Sequence, residues 1–240
     1  MQDTVVIIPT YNEIENIEAI IRAVFSQSDN IHVLVVDDNS PDLTALKVKE
    51  LQEEFPNRLF LEIRKEKAGL GTAYIHGFYW CLEKSYQYIF EMDADFSHNP
   101  KDLIKLYNAC KNDGADLAIG SRYVKGVNVV NWPMARVLMS YLASKYVRII
   151  TGMRIHDTTA GFVCYKRQVL ETIDLSKIKF IGYAFQIEMK FKTYLKQFKI
   201  IEVPVIFTDR TKGESKLSSG IISEAVFGVI SMKLKSLFKK

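Results

Sequence analysis

Asp93 and Asp95, one residue apart in the decapeptide EMDADFSHNP (residues 91–100), are the strongest chemical signal in the sequence. They follow an apolar run, YQYIF over residues 86–90, that reads as a strand, and they precede Pro100, which suits the first turn of a helix. Carboxylates at a strand end repel each other and are costly to bury. In an extended loop, side chains i and i+2 point the same way, so both carboxylates can face one cation. Mg²⁺ or Mn²⁺ takes hard oxygen ligands and commonly bridges one or two carboxylates to phosphate oxygens. The pattern points to a metal–diphosphate site on Asp93 and Asp95. The competing role, capping the helix at Pro100, falls better to Ser97 and Asn99.

Other polar groups stand at comparable places. Asp37 and Asp38 end a Val-rich run and could accept hydrogen bonds from a ribose or a base edge. They could equally form a turn ahead of Pro41, a task open also to Ser40 and Asp42. Gly69 and Gly71 begin like a phosphate loop, but Tyr74 stands where the third glycine belongs, so tight-turn use is the better reading. In TDRTKGESKL (208–217), Arg210, Lys212 and Lys216 surround Gly213, the composition of an anion clamp or of a plain solvated loop. Residues 117–156 hold six Lys/Arg and no Asp or Glu, among them Arg122, Arg136 and Arg148. A phosphate site beside an apolar groove is one use for them; a core helix with snorkelling basic side chains is another.

The elements that must hold these groups alternate regularly. Strands are expected at 4–9, 32–36, 59–63, 86–92 and 116–120, with helices after Asn12, from Pro41, from Gly69 and over 100–112. Such βαβ repetition predicts an α/β fold with a mostly parallel sheet covered on both faces, and a ligand crevice at the carboxyl ends of the strands. The second half is less regular: a helix over 132–150, a strand running into a short helix over 163–170, a helix over 183–197, and a strand over 199–207 that Pro204 marks as an edge. An amphipathic helix over 221–238 ends in lysines and could lie on anionic lipid or pack on the body. This divides the chain into a globular part, 1–217, and a basic C-terminal helix, 218–240.

Composition fits a folded protein, with 48% hydrophobic and 25% charged residues. Net charge is +4, concentrated in residues 117–156 and 210–240 on an otherwise acidic body, which suggests an anionic partner. Three cysteines without a C-x-x-C pair argue against a disulfide framework or zinc and for a reducing, cytoplasmic setting. The N-terminus does not read as a signal peptide, and no apolar stretch reaches the roughly 18 residues of a membrane span.

Together the motifs PTYNE (9–13), VDD (36–38), GLGTAYIHG (69–77), MDAD (92–95), GSR (120–122), GYAFQIE (182–188) and DRTKGESK (209–216) resemble dolichyl-phosphate mannosyltransferases, a branch of glycosyltransferase family 2. The first, second and fourth patterns occur across that family; the GLGTAYIHG and DRTKGESK stretches are more specific to the branch. The resemblance implies a Rossmann-like GT-A fold and an inverting transfer of mannose from GDP-mannose to a polyprenyl phosphate, peripheral on the cytosolic membrane face, through the basic segments or a membrane-anchoring partner subunit. Carried over by motif, Pro9, Tyr11, Glu13, Val36 and Asp38 would line the guanosine site. Asp93, Ala94 and Asp95 would meet Mg²⁺ or Mn²⁺ and the diphosphate. Arg122, Arg210 and Lys216 would hold anionic groups of donor or acceptor. Two departures stand out: Ser97 replaces a Gln of some relatives, and Asp42-Leu43-Thr44 replaces Asp-Gly-Thr. A UDP-sugar donor with the same acceptor class is the near alternative. A nucleic-acid-binding module is disfavoured by the acidic crevice and the missing stacking and base-reading signatures.

Overall fold

The computed structural model describes residues 1–182, 184–209 and 219–238, without the side chains of 219–225 and 238. The alternating pattern of the first half folds as expected. Strands β1 (Thr4–Thr10), β2 (Ile31–Asp37), β3 (Leu59–Ile63), β4 (Tyr88–Glu91) and β5 (Leu117–Ser121) are separated by helices α1 (Ile17–Phe25), α2 (Thr44–Glu54), α3 (Leu70–Leu82) and α4 (Leu103–Lys111). The second half adds β6 (Val129–Val130), α5 (Met134–Thr151), β7 (Val163–Lys166), α6 (Arg167–Thr172), α7 (Ala184–Leu195), β8 (Ile200–Pro204), β9 (Phe207–Thr208) and α8 (Ser219–Phe238).

Seven strands form one sheet in the order β3-β2-β1-β4-β7-β5-β8, and β6 pairs with β9 separately. All pairs in the large sheet are parallel except those of β7, which runs antiparallel to both β4 and β5. Period-two alternation sends Val5 and Ile7 into the core beneath α3 and α7, and Val6 and Ile8 into the core beneath α1 and α4. The chain leaves β1 toward β2 and β3, then returns to place β4 on the other side of β1. This reversal opens a crevice between the carboxyl ends of β1 and β4.

Three differences from the sequence expectations have local causes. Pro41 does not start α2. Asp42 instead makes a turn, its carboxylate accepting from the Ile14 N–H at 3.1 Å and the Thr44 hydroxyl at 2.5 Å, and the helix begins at Thr44. Leu43 within that turn has φ +70°, a left-handed conformation that glycine adopts without strain. The basic helix α5 is not a core helix, since only Ser144, Val147 and Thr151 are buried along it. The β6–β9 pair was not expected, because two-residue strands carry no periodicity.

Pro204 does end the edge strand β8. The glycines of GLGTAYIHG serve both turn and packing. Gly69 has φ +100°, while a Cβ at Gly77 would stand 2.8 Å from Ile7, so that residue lets α3 lie directly on β1.

Candidate active site

At the carboxyl end of β2 the two neighbouring aspartates have different tasks. Asp37 is fully buried and closes the turn: its carboxylate accepts from Thr10 Oγ1 at 2.7 Å, Ser40 Oγ at 2.6 Å and the Ser40 N–H at 2.8 Å. Asp38 accepts from Arg64 Nε at 2.6 Å, and the same guanidinium reaches Thr72 Oγ1 at 2.7 Å on the first turn of α3. Arg64 therefore ties the Asp38 carboxylate to the glycine turn. Nothing in its local sequence marked it, because its partners lie on two other loops.

The β1 end carries the remaining residues of this group. Pro9 pairs with Val36 in register, and the Val36 side chain is wholly buried in the core. The Tyr11 ring has Lys67 Nζ 4.3 Å from its centroid. Glu13 accepts from Asn16 Nδ2 at 3.0 Å, and its N–H donates to Thr44 Oγ1 at 3.1 Å.

The acidic motif follows β4. Asp93 is half-buried, and its carboxylate accepts from the Tyr74 hydroxyl at 3.3 Å. Burial among α3, β7 and α7 pushes the Tyr74 hydroxyl well above its ordinary range, so it remains a neutral donor. The Asp93 N–H donates to His98 Nδ1 at 3.2 Å, which leaves the proton on Nε2. Burial against Phe162 lowers His98 to about 4, so the ring stays neutral. Asp95 is buried, and its Oδ1 accepts from the Ser97 N–H at 3.0 Å across Phe96, which sits at φ +60°. Bulky residues seldom hold that conformation, and it tightens the loop that presents both carboxylates. Ala94 is buried between them.

Asn99 and Ser97, paired above as helix caps, part ways. Asn99 caps the turn before α4, its Oδ1 accepting from the Lys101 N–H at 3.1 Å. Ser97 Oγ is buried and has no hydrogen-bond partner among the described residues. A buried hydroxyl in that state is open to an ordered water or a bound ion. Among the described residues no third His, Cys, Asp or Glu joins the aspartate pair. Two carboxylates with one orphan hydroxyl suit an oxygen-seeking cation that completes its shell with water and phosphate oxygens. The residues fit Mg²⁺ or Mn²⁺.

The β5 end supplies the cationic side. Arg122 is 7% exposed and makes a bidentate pair with the fully buried Asp157: Nε to Oδ2 at 2.7 Å and Nη2 to Oδ1 at 2.6 Å. Its Nη2 also donates to Thr159 Oγ1 at 2.9 Å, and its guanidinium lies 5.5 Å from the centroids of Trp132 and Phe207. Arg136 on α5 shares that indole at 4.1 Å and pairs with Asp209 at 2.9 Å. Trp132 Nε1 is a second buried donor without a partner among the described residues. The Thr208 N–H donates to the Ser97 carbonyl at 3.4 Å, so the segment leading to residue 210 starts beside the acidic motif. Arg210 and Lys216 themselves, with Tyr183 and the rest of 210–218, lie outside the described residues.

Behind the motif runs a buried polar chain that sequence reasoning missed. Glu91 accepts from Gln186 Nε2 at 2.5 Å, and Lys190 donates to the Ala160 carbonyl at 2.6 Å and to Gln186 Oε1 at 3.2 Å. Desolvation raises Glu91 to about 7 and lowers Lys190 to about 8. The signal was a Glu closing an apolar strand and a Lys within an apolar helix.

A seven-stranded, mostly parallel sheet with the Asp38 loop and the Asp93–Asp95 loop at one switch point is the architecture of the GT-A fold. Solved structures of that fold superpose on nearly the whole chain. Glucosyl-3-phosphoglycerate synthase from Mycobacterium tuberculosis, in complex with Mn²⁺, UDP and glucosyl-3-phosphoglycerate, gives a TM-score of 0.67 at 16% identity over 97% of this chain and 79% of that one. A mannosyltransferase from Pyrobaculum calidifontis, in complex with GDP-Man and Mn²⁺, gives 0.59 at 17% identity over 98% of this chain and 74% of that one. The family model of glycosyl transferase family 2 matches residues 5–174, and the chain belongs to that family. Among its relatives, a polyprenol monophosphomannose synthase of Mycolicibacterium smegmatis is 48% identical over 95% of this chain and 86% of its own length. An undecaprenyl-phosphate mannosyltransferase of Micrococcus luteus is 45% identical over 93% and 90%. A dolichol-phosphate mannosyltransferase of Pyrococcus furiosus is 41% identical over 91% of this chain and 60% of its own.

Proposed function

We propose that this protein transfers mannose from GDP-mannose to the phosphate of a polyprenyl phosphate with inversion at the anomeric carbon. Identity of 48% and 45% to two polyprenyl-phosphate mannose-transferring relatives, over more than nine-tenths of the chain, carries the reading. In it Pro9, Tyr11, Glu13 and Asp38 flank the guanosine, Val36 supports them from the core rather than touching the base, and Asp93, Ala94 and Asp95 meet the diphosphate. Arg122 and Arg136, both against Trp132, face the anionic groups of donor and acceptor, joined by Arg210 and Lys216 from the adjoining segment.

The acceptor explains why no strong base is required. A phosphomonoester with a second pKa of about 6 is already largely a dianion at neutral pH. One of its oxygens attacks the anomeric carbon, and the bond from that carbon to the diphosphate oxygen breaks with its electron pair on the diphosphate. The chain's work is to hold two anions in line and to exclude water. Asp93 and Asp95, with Ser97 Oγ beside them, would hold a divalent cation, which would supply Lewis-acid stabilisation to the departing diphosphate.

The same proposal places the protein at a membrane surface. No described helix is long and apolar enough to cross a bilayer. Yet α5 exposes Met134, Leu138, Leu142 and Ile149, and α8 exposes Phe227 and Leu237, with Lys145, Arg148 and Lys235 on the same two helices. The helices touch: Tyr146 Oη donates to the Val226 carbonyl at 2.9 Å. Apolar side chains among basic ones suit an anionic lipid surface, from which a polyprenyl phosphate would be taken.

The test is transfer of radiolabel from GDP-mannose to polyprenyl phosphate, scored as lipid-extractable product. Labelled product is expected with GDP-mannose and none with UDP-glucose; the reverse would move the assignment to a UDP-sugar donor. Leu138→Glu together with Ile149→Glu is expected to lower transfer to acceptor embedded in anionic vesicles several-fold and to spare a short, soluble polyprenyl phosphate. Equal loss on both acceptors would refute membrane docking through α5.

A further inference from the structure

Glu202 stands in the middle of the edge strand β8 with its side chain only 7% exposed. It borders a cleft of about 410 Å³ with Arg154, Ile155, Tyr194, Phe198 and Ile200. That cleft lies at the start of β8, whereas the catalytic crevice lies at the carboxyl ends of the strands. Sequence position alone would make Glu202 an outward residue of an edge strand.

Its hydrogen bonds say otherwise. Oε1 accepts from Ser121 Oγ at 2.7 Å and from the Asp157 N–H at 2.9 Å. Oε2 accepts from the His156 N–H at 2.7 Å, and His156 Nδ1 lies 2.8 Å from the same oxygen. A carboxylate has about four acceptor positions, and all are taken by the protein. Glu202 therefore has nothing left to offer a ligand. What it holds is specific: Ser121 immediately precedes Arg122, and Asp157 is the ion-pair partner of Arg122, also accepting its backbone N–H at 2.9 Å. Lys190 grips the other end of the Asp157 loop at the Ala160 carbonyl.

We infer that Glu202 is a positioning residue for glycosyl transfer, fixing Ser121 and the backbone of His156 and Asp157 and thereby the orientation of the Arg122 guanidinium. The inference rests on the proposed contact of Arg122 with an anionic group of donor or acceptor. A neutral glutamine cannot replace the carboxylate, since its amide nitrogen would face two donors.

A double-mutant cycle on purified protein tests this, with kcat/KM for GDP-mannose and melting temperature measured for every variant. Glu202→Gln is expected to lower kcat/KM about tenfold and Ser121→Ala severalfold. In an Arg122→Ala background each is expected to cost less than about twofold more. A purely structural role would lower kcat/KM by the same factor in both backgrounds and would overturn the inference, as would wild-type kcat/KM in Glu202→Gln. If Glu202→Gln does not fold, the Ser121→Ala cycle decides by the same criterion. Wild-type turnover in Arg122→Ala alone would remove the role of Arg122, and the relay with it, while leaving the mannosyl-transfer reading intact.

Discussion

Asp95→Asn is expected to lower kcat by roughly two to three orders of magnitude with the melting temperature nearly unchanged. The two outcomes separate because Asp95 has two tasks. Its Oδ1 accepts the Ser97 N–H at 3.0 Å and so holds the turn at Phe96. Asparagine retains an acceptor oxygen of the same reach, so the turn survives. What disappears is a negative charge beside Asp93, and with it most of the attraction for a divalent cation. A second readout is independent of turnover: Mn²⁺ is expected to increase the thermal stabilisation given by GDP in the wild-type protein and to leave it unchanged in the variant. Full activity of Asp95→Asn would refute the metal role.

Ser97 sharpens that expectation. A helix-capping role was a natural reading of its position ahead of Pro100, but Asn99 performs it. Among the described residues the buried Ser97 hydroxyl has no partner, and a buried polar atom left so costs roughly 1–3 kcal/mol. On the proposed reading a cation bound between Asp93 and Asp95 would offset that cost.

Much of this arrangement was legible before the fold was known, and the reason is local. Asp93 and Asp95 stand where a strand of apolar residues stops, and short apolar runs and 3.6-residue patterns located the strands and, apart from the start of α2, the helices of the first half. The switch point then follows from connectivity. Arg64, Asp157 and Glu202 escaped because their meaning is a contact across 26, 35 and 81 positions respectively. A lone Asp in HDTTAG looks like any loop carboxylate. Glu202 did leave a trace, a charge inside the apolar run KIIEVPVIF, which asks for buried donors. Glu91 and Lys190 left the same kind of trace. The apolar stripe of α5 misled in the opposite sense, since periodicity identifies a helix face but not what covers it: Met134 and Ile149 are more than 70% exposed.

Asp157→Ala is expected to destabilise the protein by about 3–5 kcal/mol, because it removes the bidentate carboxylate partner of a buried guanidinium. Asp157 is fully buried, and its oxygens accept from Arg122 Nε, Nη2 and N–H, at distances from 2.6 to 2.9 Å. Thr159 Oγ1 and the faces of Trp132 and Phe207 also touch this guanidinium, but they carry no negative charge to replace the bidentate carboxylate. For a chain of this size the loss corresponds to a fall in melting temperature of roughly 6–20 °C. Removing both partners together, as Arg122→Leu with Asp157→Leu, is expected to cost less stability than Asp157→Ala alone, since no charge is then left unpaired. The double variant is nonetheless expected to lose most of its kcat/KM, as Arg122→Ala does, while keeping a measurable remainder of it. Stability and catalysis therefore part company at this pair on the proposed reading: apolar side chains could fill the same space at lower electrostatic cost, and the ion pair serves to hold the guanidinium in one orientation for an anionic group of donor or acceptor. A double variant less stable than Asp157→Ala would show that the pair is held for packing, and would overturn this account.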